Sequence, residues 1–155
     1  MPLNIVLVEP EIPQNTGNIA RTCAVTGAKL HLIEPLGFSL EDRYLKRAGL
    51  DYWNRLELML HGSLNHFINF LSPEADILLT TKRGSRWYAD ITYGTSSYVL
   101  FGRESAGLPE HLLYRYPARW IRLPMRPGTR SLNLSNAAAV ITYEALRQQD
   151  FPGLV

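Results

Sequence analysis

LNIVLVEPEIPQNTGNIAR, Leu3 to Arg21, decides the fold class. Its first six residues form an apolar, β-branched run that ends at Glu9 and Pro10. The stretch beyond Pro13 turns to a helical pattern over about 16–26, with Asn15 in place to cap it. Working outward, the same alternation recurs. Strands are expected at about 30–34, near 56–59, and at 76–81, 97–101 and 119–123. Helices are expected at about 39–47, 63–71, just after Pro109, and at 134–148. Ser39 followed by Asp42 fits a capping box, and Pro109 suits a first helical turn. Strands alternating with helices predict an α/β domain with a mainly parallel sheet flanked by helices.

A chain of 155 residues reads as a single domain over 1–155, long enough to bury about 70% of its unfolded surface. Its 46% apolar and 19% charged residues are ordinary for a globular protein, and no apolar run approaches a membrane span of about 20 residues. The N-terminus has no basic region followed by a small-residue cleavage site, which predicts a cytoplasmic protein without a membrane partner. Cys23 is alone, so no internal disulfide is possible, and its apolar helical setting predicts an inert core thiol.

Two further blocks stand where strands stop. SYVLFG breaks at Gly102 into FGRESAGL, Phe101 to Leu108, and RWIRLP breaks at Pro124 into LPMRPGTRSLNLSNA, Leu123 to Ala137. Both are polar, Gly- and Pro-rich loops at strand ends, the composition of a ligand site built from loops, and NTGNIAR, Asn15 to Arg21, which follows the first strand and opens a helix, completes the set. Several chemistries are absent. There is neither a GxxxxGK[ST] phosphate loop nor a GxGxxG fingerprint. His31, His61, His66 and His111 show no metal-ligand spacing, so no metal is expected. Ser105 lies in RESAG, but a nucleophile elbow needs glycine where this chain has Arg103.

The net charge of +2 does not by itself indicate nucleic acid, but thirteen of the sixteen basic residues are Arg, the side chain suited to bidentate phosphate contacts. They gather at Arg43/Lys46/Arg47, at Lys82/Arg83/Arg86 and from Arg115 to Arg130. In TTKRGSRWYADITY, Thr80 to Tyr93, the cations Lys82, Arg83 and Arg86 interleave with Trp87 and Tyr88, which suits a splayed single-stranded RNA loop; a plain hydrophobic turn is the alternative. The final helix has two apolar faces. Leu134, Ala137, Ala138, Ile141 and Ala145 form one, and Val140 with Tyr143 forms the other, beside Arg147. One face would cover the sheet and the other meet a second subunit, unless the helix is wholly buried in its own domain.

The three blocks, in this order and at these spacings, resemble the SPOUT superfamily of S-adenosylmethionine-dependent RNA methyltransferases, in its SpoU (TrmH-like) branch. NTGNIAR is similar to the first motif of that branch, FGRESAGL to its second, and LPM with SLNLSNA to its third. HLIEPLGF, RAGLDY, LLTTK and YEALRQQDFPG extend the likeness, from Leu3 to Gly153, to the minimal single-domain members that methylate the wobble ribose of tRNA. The resemblance implies a sheet of five or six strands with a C-terminal trefoil knot, a homodimer with Tyr143 at the subunit contact, and S-adenosylmethionine held near Leu79, Gly102, Leu123 and Ser131.

As substrate it implies the 2′-hydroxyl of nucleotide 34, a cytidine or modified uridine, in the anticodon stem-loop of leucine isoacceptors. Another tRNA or rRNA position, or a non-catalytic RNA- or nucleotide-binding module, is the alternative. The site it implies consists of Arg21, which positions the hydroxyl with the RNA phosphate accepting its proton, and Asn15, which holds the loop that aims Arg21. Glu104 fixes the loops, Ser131 and Asn133 stand near cofactor and substrate, and Arg103 is given no role. Ser135 and Asn136 are candidate caps of the last helix.

Overall fold

The computed structural model describes residues 3–43, 45, 47 and 50–155. The helix expected at about 39–47 therefore lies partly outside the described residues, and Lys46 lies wholly outside them. Ser39 accepts the Glu41 amide through its Oγ at 3.1 Å and the Asp42 amide through its carbonyl at 2.9 Å, so residues 40 and 41 form a turn where the first helical turn was expected.

Among the described residues, seven strands form one sheet: β1 (Asn4–Val8), β2 (Lys29–Ile33), β3 (Leu58–His61), β4 (Ile77–Thr80), β5 (Arg86–Trp87), β6 (Tyr98–Phe101) and β7 (Trp120–Arg122). Their order is β3-β2-β1-β6-β4-β7-β5, and every neighbouring pair is parallel. The sheet thus has one strand more than the larger expected count. The addition is β5, a two-residue edge strand with both side chains exposed, which carries no periodic signal.

Among the fully described elements, four helices cover the sheet: α1 (Pro13–Thr26), α2 (Leu64–Phe70), α3 (Glu110–Arg115) and α4 (Leu134–Gln148). Burial on both faces explains why β1, NIVLV, reads as an unbroken apolar run: all five of its residues are buried. Strand side chains alternate between faces. Ile5 and Leu7 join Ile19, Ala20 and Cys23 of α1 and Ala138 and Ile141 of α4 in one core. Val6 and Val8 join Phe67 of α2, Leu79, Leu100, and Leu112 and Leu113 of α3 in the other. Burial pushes the Cys23 thiol up to about 12, which suits the inert role its setting predicts.

α1 begins three residues before the expected start. Pro13 occupies its first turn, where the ring presets φ and the missing N–H costs nothing. The cap position belongs to Ile12, which makes no side-chain cap bond, so Asn15 lies inside the helix and does not cap it. The last helix corrects the other cap. Asn133, not Ser135 or Asn136, is its N-cap and accepts the amides of both. At the far end of α1, Gly27 takes φ 79 and returns its N–H to the Cys23 carbonyl at 2.9 Å, a left-handed cap that favours glycine. Among the described residues, no helix is long and apolar enough to cross a membrane.

Chain order and sheet order together place the site. From β1 the chain proceeds outward through β2 to β3, and later returns to lay β6 on the other side of β1. The connection after β1 enters α1 on one face, whereas the connection after β6 leads to α3 on the opposite face. A crevice opens between such diverging loops at the carboxyl ends of the strands.

Candidate active site

A cavity of about 950 Å³ occupies this crevice, within the size range of small-molecule sites. Its walls come from the ends of β4, β6 and β7, the loop over 102–108, and the long segment between β7 and α4. Phe101, Leu108, Leu113, Leu123 and Leu134 supply apolar surface. Five basic residues, Lys82, Arg83, Arg103, Arg122 and Arg130, face two acidic ones, Glu104 and Glu110, so the lining favours an anionic ligand.

The 102–108 loop is folded tightly on itself. Arg103 and Gly107 exchange backbone hydrogen bonds at 3.2 and 2.9 Å. A Cβ on Gly102 would lie 1.9 Å from the Gly107 carbonyl carbon and 2.1 Å from the Leu108 nitrogen, so only glycine permits this approach.

Glu104 projects from the loop to the chain after β1. Its carboxylate accepts the backbone N–H groups of Glu11 at 2.9 Å and Ile12 at 3.1 Å, and the Asn15 amide at 3.3 Å. The Ile12 amide is one of those a helix N-terminus leaves without an internal partner, and a carboxylate there also complements the helix dipole. Asn15 then accepts Asn133 Nδ2 through its Oδ1 at 3.1 Å. Asn133 Oδ1 in turn takes the amides of Ser135 and Asn136 and the Ser135 hydroxyl at 2.6 Å. A single run of hydrogen bonds therefore joins the loops after β1 and β6 to the start of α4, and in it Asn15 uses both ends of its amide.

The grip is reciprocal. Glu11 accepts the Ser105 hydroxyl at 2.6 Å and the Ser105 N–H at 3.2 Å, and these bonds hold its carboxyl below the usual range. Arg103 reaches Glu9 through Nε at 3.0 Å and Nη2 at 2.6 Å. Each loop thus presents a carboxylate to donors on the other. Ser105, unsuited to be a nucleophile, is a hydrogen-bond donor between loops, and Arg103 acquires a role that no motif gave it. The signal for both was available: the acids of VEPEIP and the Arg-Glu-Ser of FGRES have complementary charge at the ends of two apolar strands.

Of the residues expected in the site, the structure brings Asn15, Glu104 and Asn133 together, and Gly102, Leu123 and Ser131 line the cavity. Leu79 does not line it: its side chain is 0% exposed in the sheet core, and Thr80 and Thr81 form the wall at that strand end. The reason is strand alternation, which turns Leu79 into the core with Leu100. Lys82 and Arg83 stand at the cavity wall, while Arg86 lies on β5, with Nη1 3.4 Å from the Ala118 carbonyl.

Arg21 is exposed and is not among the lining residues. It lies roughly one and two-thirds turns beyond Asn15 on α1, with its guanidinium 4.8 Å from the centre of the Tyr52 ring. Tyr143 and Val140 are exposed on α4. Arg122, which sequence reasoning placed only within the basic cluster from Arg115 to Arg130, lines the cavity with its Nε buried and, among the described residues, without a hydrogen-bond partner.

Comparison with known proteins gives consistent relatives. The model of the SpoU rRNA Methylase family matches residues 2–143. The tRNA (cytidine(34)-2'-O)-methyltransferase of Saccharophagus degradans is 50% identical over 151 residues, 97% of each chain. A solved structure described as giving structural insights into the 2-OH methylation of C/U34 on tRNA superposes with a TM-score of 0.91, at 47% identity over 96% of each chain. An AdoMet-bound rRNA methyltransferase from Sinorhizobium meliloti superposes with a TM-score of 0.84 at 27% identity, covering 94% of this chain and 56% of that one.

Proposed function

This chain belongs to the SpoU rRNA methylase family, and on that premise we propose that it methylates the ribose 2′-hydroxyl of the wobble nucleotide, position 34, of tRNA, using S-adenosylmethionine. The observation that carries the reading is the run Glu104–Asn15–Asn133, which fixes three motif segments around one cavity at the switch point of the sheet. The Saccharophagus degradans relative and the structure concerned with C/U34 support the nucleotide, and the AdoMet-bound Sinorhizobium meliloti structure supports the cofactor.

The residues present fit that cofactor. Phe101, Leu108 and Leu123 offer apolar surface to a nucleoside, Gly102 lets ligand and backbone approach, Ser131 adds a hydroxyl, and the unpartnered Arg122 Nε calls for an acceptor such as a carboxylate. Bound there, S-adenosylmethionine supplies an electrophilic methyl group on a sulfonium. The protein's part is to place the 2′-oxygen in line and to direct its proton elsewhere, because a ribose hydroxyl is a weak nucleophile at neutral pH. A guanidinium does not deprotonate in proteins, so Arg21 positions the RNA phosphate, which takes the proton. Asn15 and Glu104 set the helix that carries Arg21, and Lys82, Arg83 and Arg86 hold the backbone of the anticodon stem-loop.

Arg21 stands outside its own chain's cavity, so it serves RNA lying at a subunit boundary. The exposed Val140 and Tyr143 of α4 support a homodimer through this side of the molecule. The trefoil knot and a cytoplasmic location, where tRNA is modified, complete the proposal. The sheet order β6-β4-β7 and the packing of α4 against α1 support the threading.

Incubating the protein with S-adenosylmethionine and total tRNA, then mapping the product by mass spectrometry, tests the reading. One anticodon-loop phosphodiester should become resistant to alkali, and light scattering should give twice 17.6 kDa. Arg21→Ala should slow transfer by at least about 100-fold while calorimetry shows cofactor binding largely intact. A methylated base with an alkali-sensitive ribose, methylation at another tRNA or rRNA position, or an Arg21→Ala protein of near wild-type rate would refute it.

A further inference from the structure

Beside the cavity stands a group of side chains at the margin of the second core, against which Trp120 packs. Tyr114 is 61% exposed on the outer side of α3, an unusual position for a large aromatic ring that nonetheless has fixed neighbours. Trp120 meets it edge-on, with centroids 5.7 Å apart and planes at 64°. Trp120 is itself held, since its Nε1–H donates to the Leu113 carbonyl at 2.8 Å. The Arg83 guanidinium lies 5.3 Å from the Trp120 ring centre and 5.9 Å from that of Tyr114. It is anchored by Glu110 Oε1 at 2.8 Å and reaches the Tyr114 hydroxyl at 3.5 Å.

We propose that this cluster is a stacking platform on which Tyr114 holds an unpaired nucleobase of the RNA substrate next to the nucleotide in the cavity. The inference rests on the proposed function for the identity of the RNA, but on the cluster's own geometry for the platform. A ring fixed on one side and open on the other presents a π-face with little conformational entropy left to lose, which is what stacking of single-stranded bases requires. Arg83 and Glu110 line the cavity, so the platform and the cavity share a wall. Charge selects the partner. Arg83 is paired with Glu110, but Lys82 next to it forms no ion pair among the described residues, and Arg115 follows Tyr114 on α3 with its guanidinium 5.5 Å from the Tyr116 ring. Cations flanking an open aromatic face match a base with phosphates on either side. Tyr114 is thus a substrate-positioning residue.

The test uses the whole protein with Tyr114→Ala, Tyr114→Phe and Tyr114→Trp, on full tRNA and on an anticodon stem-loop carrying 2-aminopurine at single unpaired positions. The exposed ring buries no core, so all three variants should keep the wild-type circular dichroism and thermal midpoint. Tyr114→Ala should raise KM for tRNA roughly tenfold, the loss of one stacked base, while kcat at saturating tRNA changes by less than about twofold. Tyr114→Phe and Tyr114→Trp should restore KM. In the wild type, 2-aminopurine fluorescence at one loop position should be quenched on binding, and Tyr114→Ala should abolish this. Unchanged KM and unchanged quenching in Tyr114→Ala overturn the platform. Quenching that requires Tyr114 in a protein that methylates no tRNA would support the platform while refuting the proposed reaction, so the two failures are distinct.

Discussion

The crevice between β1 and β6 and the sheet edge formed by β2 and β3 both place polar side chains among apolar ones, and they satisfy them differently. In the crevice, the carboxylates of Glu104 and Glu11 accept backbone N–H groups and side-chain donors across two loops, and no carboxylate oxygen there depends on a titrating partner. At the edge, His31 and His61 are 1% and 2% exposed. His31 Nε2 meets Asn4 Oδ1 at 3.1 Å, and His31 Nδ1 meets His61 Nε2 at 3.0 Å. If Asn4 Oδ1 is to receive a proton, His31 carries it on Nε2, and His61 Nε2–H then donates to His31 Nδ1. This leaves the His61 Nδ1 lone pair buried without a partner. The rings pack among Phe67, Phe70 and Tyr98, and the pair is stable only while neutral. Burial, then His61 and Lys29, brings His31 down to about 4; burial, then His66, lowers His61 as well. A polar network built on fixed amide donors keeps its charge, whereas one built on imidazoles fails in acid.

Gly102→Ala should produce the largest change on the crevice side. The new Cβ meets main-chain atoms at 1.9 and 2.1 Å, and backbone cannot rotate away, so a loss of about 3 kcal/mol or more is expected. Urea unfolding measures it, and a stable variant with wild-type cofactor binding would break the account of that loop.

Acid should produce the next largest change, on the other side. The folded pKa of His31 lies below the unfolded value of about 6.5, so its contribution is complete above that pH and declines as pH falls toward about 4. The full decline is on the order of 3 kcal/mol. The carboxyl of Glu11 is also lowered, so its contribution fades only below about 4.5, in a separate window. Unfolding free energies measured from pH 7.5 to 4.5 should therefore fall in His31→Gln less than in the wild type. Parallel slopes would remove the histidine pair from the comparison.

Glu104→Gln keeps the shape but loses the charge that faces two amides and the Asn15 side chain. A loss of about 2 kcal/mol and a slower methyl transfer are expected, with hydrogen exchange rising at the Glu11 and Ile12 amides. Exchange unchanged at those two amides would contradict the grip. Ser105→Ala should have the smallest effect, about 1 kcal/mol or less, because Glu11 retains the Ser105 N–H. An effect as large as that of Glu104→Gln would show that the two halves of the reciprocal grip are equal.

Much of this arrangement was legible in the chain. The strand–helix alternation could be read because parallel strands covered on both faces become continuous apolar runs, as in NIVLV, ILLT and YVLF. The site loops could be read because Gly, Pro, Ser and Asn concentrate where those runs stop. β5 could not, because two exposed residues have no period. The partners of Asn15 were hidden too: its position suggested a cap and its motif a hold on a loop, but nothing local pointed to residues 89 and 118 positions away, to which its amide bonds.

By itself, the sequence determined the type of each principal strand and of the helices α1 to α4, the polar composition of the strand-end loops and the two apolar faces of α4, all of which depend on residues within a few turns of one another. Tertiary structure alone decided that β6 lies beside β1, that Glu104 finds Glu11 and Ile12, that Leu79 turns into the core while Thr80 meets the cavity, and that Tyr114 stands open beside Trp120 and Arg83. The physical reason is separation along the chain. Such contacts form only after the order of strands in the sheet is chosen, and that choice is made by the packing of the whole domain rather than by the preferences of any one segment.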